Sequence, residues 1–228
     1  SEDDIVVMGV TELTPKGLLR RVTGVSQGGL TIQTTQASLE QAIEEGEISY
    51  QHTLLPGDTT NTLRKPGVSN GYEPSLFDFN IPLDNVVLFD QDGNTETQYD
   101  QLIANGSIEF NYDLDLDLDI SGFHLNRFLF KNTFTEQSDI TVQYQAGGYI
   151  NGSETIWVNY FSPISILPPL SPIPIIIVPS LEISISYSGT PWVMEANFVH
   201  NAELSPGIEY ENNSWNNISS QHGLLQSE

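Results

Sequence analysis

The sequence predicts an all-β fold, an elongated antiparallel β-sandwich or barrel with one short helix. Residues 107–120 alternate polar and apolar without a break, Ser-Ile-Glu-Phe-Asn-Tyr-Asp-Leu-Asp-Leu-Asp-Leu-Asp-Ile. A period of two marks a strand with one buried face and one wet face. Ile108, Phe110, Tyr112, Leu114, Leu116, Leu118 and Ile120 form the apolar side, and Glu109, Asn111, Asp113, Asp115, Asp117 and Asp119 the polar one. A strand of this length runs well beyond the usual five or six residues. The second observation is a series of further alternating runs, rich in tyrosine and β-branched residues and separated by regular turn signals. The third is that a single short stretch carries helical spacing.

In chain order, 18–25 and 30–35 are β-prone runs around Ser26-Gln27-Gly28-Gly29, a hairpin signal. Residues 37–45 place Leu39, Ala42 and Ile43 among glutamates and stop at Gly46, which reads as the one helix. A strand follows over 47–55. Residues 56–82 hold Pro56, Pro66, Pro74 and Pro82 with Gly57, Gly67 and Gly71, and read as a long loop. Ordered loops of that length are often functional. Strands are expected at 86–89, 123–134, 140–146, 155–161, 181–187 and 194–204. Between them, Ile175-Ile176-Ile177-Val178 lies among prolines and does not alternate. It reads either as a core strand entered and left by kinks or as an apolar tip binding a hydrophobic ligand or a second subunit. The whole is expected as a flexible acidic segment 1–12, a single all-β domain 13–220 and a flexible tail 221–228.

Composition narrows the function classes. Thirty Asp and Glu oppose seven Lys and Arg, a net charge of -23, and no basic residue follows Lys131. Such a surface repels phosphate backbones, so nucleic acid is not an expected partner. It suits a saline or divalent-rich medium. There is no cysteine, so the core must stand without disulfides. No run of 18 apolar residues exists, and prolines 168, 169, 172 and 174 interrupt the nearest candidate.

The candidate metal site is Asp90-Gln91-Asp92-Gly93-Asn94 with Glu96 and Asp100. Calcium takes six to eight oxygen ligands, and this stretch offers them at alternate positions. It departs from an EF-hand: Thr95 stands at the sixth position, Gln101 at the twelfth, and no helices flank it. Aspartate-glycine is also the usual choice for a tight hairpin turn, so both readings stand. The aspartates at 113, 115, 117 and 119 recur about every 6.6 Å along one face, too far apart for one ion to bridge neighbours on the same strand. Gly24-Val25-Ser26-Gln27-Gly28 matches a nucleophile elbow, but it leads into another strand rather than a helix. His52, His124, His200 and His222 show no zinc spacing. With thirty acids, a glycosidase-like carboxylate pair is expected by chance alone. Trp192, in a Gly-Thr-Pro turn, and Tyr99 are the candidate ligand-stacking aromatics, and Ile175 and Ile177 the candidate apolar ligand contacts.

Several segments together resemble a poorly characterised family of secreted bacterial β-rich surface proteins. They are Ala37–Ile43 before an acidic glycine turn, Leu88–Asn94, Asp117–Phe123, Pro174–Pro179, and Gly207–Tyr210 with Trp215. Ser1-Glu2-Asp3-Asp4 resembles the acidic stretch that follows the lipidated cysteine of Bacteroidota surface lipoproteins. The resemblance implies export to an extracellular or outer-surface location, with membrane contact only through an N-terminal lipid, and confers no catalytic residue. The expectation is a noncatalytic adhesion, assembly or ligand-binding protein, with a surface glycan, a protein or a second copy as partner. The alternatives are a carbohydrate-binding accessory protein and a carrier of a hydrophobic ligand.

Overall fold

Two 21-residue strands form the spine of the molecule, each about 70 Å long at the ordinary rise of a strand. This is a computed structural model, and it describes residues 1–228 apart from 10, 16, 27, 29–30, 72–75, 95, 145–146, 168–173, 191–193 and 228. The chain begins with β1 (Ile5–Met8), β2 (Leu18–Ser26), β3 (Thr31–Gln36), the one-turn helix α1 (Leu39–Ala42) and β4 (Glu45–Leu54). There follow β5 (Thr59–Arg64), β6 (Phe79–Asp90), β7 (Gln101–Ser121) and β8 (His124–Tyr144). The last six are β9 (Ile150–Phe161), β10 (Ile164–Ile166), β11 (Ile175–Ile177), β12 (Ser180–Gly189), β13 (Met194–Glu211) and β14 (Ser214–Ser227). All described pairings between strands are antiparallel.

The large sheet runs β14-β13-β8-β7, and β4 and β6 then share the far side of β7, β4 against its second half and β6 against its first. Two tight turns fix its register. Gly122 and Phe123 connect β7 to β8 with φ of 58° and 61°, and Asn212 and Asn213 connect β13 to β14 with φ of 53° and 59°. Positive φ at both central residues is the type I′ turn, whose twist matches the flanking strands. Gly106 has φ of 127°, and a Cβ there would meet the Asp139 carbonyl oxygen at 2.0 Å, so no side chain fits at this crossing of β7 and β8.

The alternation in β7 does what its period requires. Ile108, Phe110, Leu114, Leu116, Leu118 and Ile120 are buried, and the intervening acids lie half-exposed. Two groups of elements cover this apolar face. The three-stranded sheet β12-β9-β5 lies over one end, where Phe110 stacks on Phe79 at 4.7 Å and Trp157 and Phe161 meet Phe79 edge-on. Over the other end, Ile43 of the α1–β4 link, Val7 and the β10–β11 pair close a second cluster on Leu116, Leu118 and Ile120. The sequence reading of an all-β sandwich with one short helix therefore describes the architecture.

Some boundaries differ. Ile5–Met8 form a strand paired to β2 inside the stretch expected as a flexible segment, because Ile-Val-Val-Met is an apolar run with a partner. β14 continues to Ser227 along β13, past the expected domain end at 220. The loop expected over 56–82 contains β5, whose partner β9 lies nearly a hundred residues downstream. The two runs expected at 123–134 and 140–146 are one strand, β8.

Candidate functional site

The β6–β7 connection brings Asp90, Asp92 and Asp100 together, with one carboxylate oxygen from each within 4.8 Å of the others. Local donors set this arrangement. Gly93 N–H donates to Asp90 Oδ1 at 2.9 Å, and buried Gln101 donates its Nε2–H to Asp90 Oδ2 at 3.1 Å. Asn94 N–H donates to Asp92 Oδ1 at 2.7 Å, and the Thr97 hydroxyl reaches the same carboxylate at 3.1 Å. The Asn94 N–H bond is the main reason the Asp92 carboxyl sits below its usual range. A short 3₁₀ turn, Gln98–Asp100, swings Asp100 back beneath the loop, where Asp92 N–H donates to its Oδ2 at 3.2 Å. Asp100 is 7% exposed, and its Oδ1 is buried with no hydrogen-bond partner among the described residues. An unsatisfied buried carboxylate oxygen is costly unless something completes it.

Three carboxylates at this spacing can hold a metal ion. Of the other two predicted ligands, Glu96 lies outside this carboxylate cluster. Asn94 turns its side-chain oxygen to Glu96 N–H at 3.2 Å, and the Glu96 carboxylate stays exposed outside it. The aspartate row on β7 is a different environment. Thr53 donates to Asp113 at 2.5 Å and Arg127 pairs with Asp117 at 3.2 Å, while Lys131 is the cross-strand neighbour of Asp115. Two of the chain's seven basic residues thus flank the row, which disfavours a second cation there.

Tyr99 stands 65% exposed on the turn that carries Asp100. Ile175 and Ile177 are not free contacts: β11 pairs with β10 and both side chains pack half-buried on the second cluster. The sequence alternative of a core strand between prolines fits that placement. Ile175 and Ile176 also line a hollow of about 410 Å³ with Val7, Leu19 and Leu39. Trp192 lies outside the described residues.

A larger feature lies between the two sheets. A groove of about 750 Å³ opens along β12, floored by Ser138, Ile140 and Val142 of β8 and Phe198 and His200 of β13. Leu88, Leu102 and Ile150 close its depth, and Ile185 to Thr190 form its wall. Tyr187 fixes that wall: its ring occupies the space left by Gly152, and its hydroxyl donates to the Leu88 carbonyl at 3.2 Å. At one end His200 Nδ1 lies 3.0 Å from Glu136 Oε2. A carboxylate accepts only, so Nδ1 carries the proton in that bond. Ser138 is the cross-strand partner of His200. Serine, histidine and glutamate are acyl-transfer residue types, but no hydrogen bond joins Ser138 to His200, the nucleophile–base contact that chemistry uses. Sequence spacing concealed this trio, since Glu136 and His200 are 64 residues apart. The only local signal was two polar residues on the apolar side of β8.

The chain matches no protein-family model, no curated protein and no solved structure.

Proposed function

We propose that this chain is a noncatalytic binding protein of an extracellular or outer cell surface, steadied by calcium at Asp90, Asp92 and Asp100. The observation that carries the reading is the buried, unpartnered Oδ1 of Asp100 beside two further carboxylates. Hard carboxylate oxygens suit calcium, with water and backbone carbonyls filling the remaining positions. The cluster joins two core strands, so an ion there would brace the β6–β7 hairpin. Calcium is abundant outside cells, and a charge of -23 is tolerated where salt and divalent ions screen it. Tyr99, exposed on the same turn, offers an aromatic face to a surface glycan or protein.

The test is thermal unfolding in calcium and in chelator at matched ionic strength. At a hundredfold excess over Kd, native-state binding stabilises by about 2.7 kcal/mol. For a chain of this size that is a Tm rise of about 5–10 °C. Asp100→Asn, and Asp90→Asn with Asp92→Asn, should abolish the rise. A native protein whose Tm is the same with calcium and chelator would remove the metal from this reading.

A further inference from the structure

We propose that β12 and the groove beside it receive an extended peptide strand from a partner protein, apolar at every second residue and neutral or basic between. The smaller sheet has three strands, and among the described residues β12 pairs only with β9, so its other edge carries unpaired backbone groups. That edge faces the uncovered part of the large sheet, where Ile140, Val142 and Phe198 form an apolar floor. An open backbone edge above an apolar floor is the space of one missing strand. Main-chain hydrogen bonds to an edge give affinity, and pockets for alternate side chains give selectivity.

The local details fit a strand. The register shift in β12 falls between Ile183 and Ser184, before the groove, and pairing with β9 is regular from Ser184 to Gly189. The groove half of β12 has no Lys, Pro or inward charge, the usual protections of an edge. Ser186, Ser188 and Thr190 make its rim uncharged. Six residues, 185–190, present about 20 Å of edge. The net charge of -23 favours basic residues on the incoming strand. A second copy of this chain matches less well, since it carries the same net charge of -23 and is repelled.

The partner role rests on the surface-binding reading, but its test is independent of calcium. The probe is a fluorescein-labelled peptide, Lys-Val-Thr-Val-Lys-Val-Thr-Val-Lys, titrated with the native protein by anisotropy. Two further versions are N-methylated at every second residue, one in each phase. Saturable binding is expected, weakened at least tenfold by one phase of methylation and not by the other. Hydrogen exchange should slow on binding at Ile185–Gly189 and not along β14, an edge strand of the large sheet. Ser138→Trp, which fills the floor, should weaken binding tenfold while keeping the unfolding transition. No saturable binding, equal binding of both methylated peptides, or protection along β14 instead would overturn the proposal. Equal binding would mean that the groove takes apolar side chains without pairing at β12.

Discussion

Tyr144 and Tyr187 sit on either side of the candidate sites, Tyr144 near Asp100 and Tyr187 in the groove wall. Burial is the first cause that raises both pKa values, and the charges of Asp100 and Glu154 add to it respectively. Tyr112 is raised by burial alone. Each ring is held neutral in the folded chain, whereas the unfolded chain ionises it near pH 10. Their stabilisation is therefore complete below pH 10 and is lost as pH rises beyond it. The urea midpoint should stay level from pH 8 to 9.5 and then fall, and Tyr187→Phe should make that fall shallower. An unchanged midpoint to pH 11 would contradict the burial of these hydroxyls. The same scale shows what the sequence could reveal of the metal cluster. Asp90 and Asp92 are legible because the turn that joins them is local. Asn94 and Glu96 follow the same alternate spacing, yet the Asn94 oxygen accepts from Glu96 N–H and the Glu96 carboxylate stays in solvent. Asp100 becomes decisive only through a 3₁₀ turn, which spacing along the chain does not encode.

At the scale of elements, the two type I′ turns carry different residues at equivalent positions. Asn212 and Asn213 tolerate positive φ, whereas Phe123 holds φ of 61° with its side chain half in solvent. A bulky residue in the left-handed region is strained by about 1–2 kcal/mol. Its backbone N–H still donates to the Glu44 carbonyl, and Gly122 N–H to Glu45 Oε1, so the turn is locked from the β4 side. Phe123→Asn keeps both bonds and relieves the strain, with an expected gain of about 0.5–1 kcal/mol in chemical denaturation. A loss of that size would show that the exposed ring packs usefully. Turn residues and strand alternation were the readable elements. β5 was hidden because its pairing with β9 spans the whole core, and a six-residue polar segment among prolines gives no period to read. β8 looked like two strands because Thr135 to Asp139 interrupt its apolar pattern. Within that interruption Ser138 lines the groove beside β12, and Glu136 lines a separate hollow with Asn201 and Glu203.

At the scale of the molecule, one strand serves two cores. The first gathers Phe79, Phe110, Trp157 and Phe161, and ends on β7 at Leu114. The second begins at Leu116 and gathers Leu118, Ile120, Ile43 and Ile166. Among the described residues, Phe130 and Ile164 are partly buried and touch both. Backbone ladders run through the junction on both sides of β7, to β4 and to β8. The covering layers meet there mainly at Ile164 of β10, since β9 and β12 serve one core and α1, β1 and β11 the other. Stability in such an arrangement is distributed as units that open at different free energies. Leu118→Ala removes a fully buried side chain from the second core alone, at a cost of about 2–5 kcal/mol. Hydrogen exchange should then quicken in α1, β4, β10 and β11 and in β7 beyond Leu116. Amides of β9, and those of β7 before Leu114, should keep their native protection. A uniform loss across both ends would mean that the continuous β7–β8 ladder couples the two cores into one unit. In that case an ion at Asp90–Asp100 would steady the far end as strongly as its own.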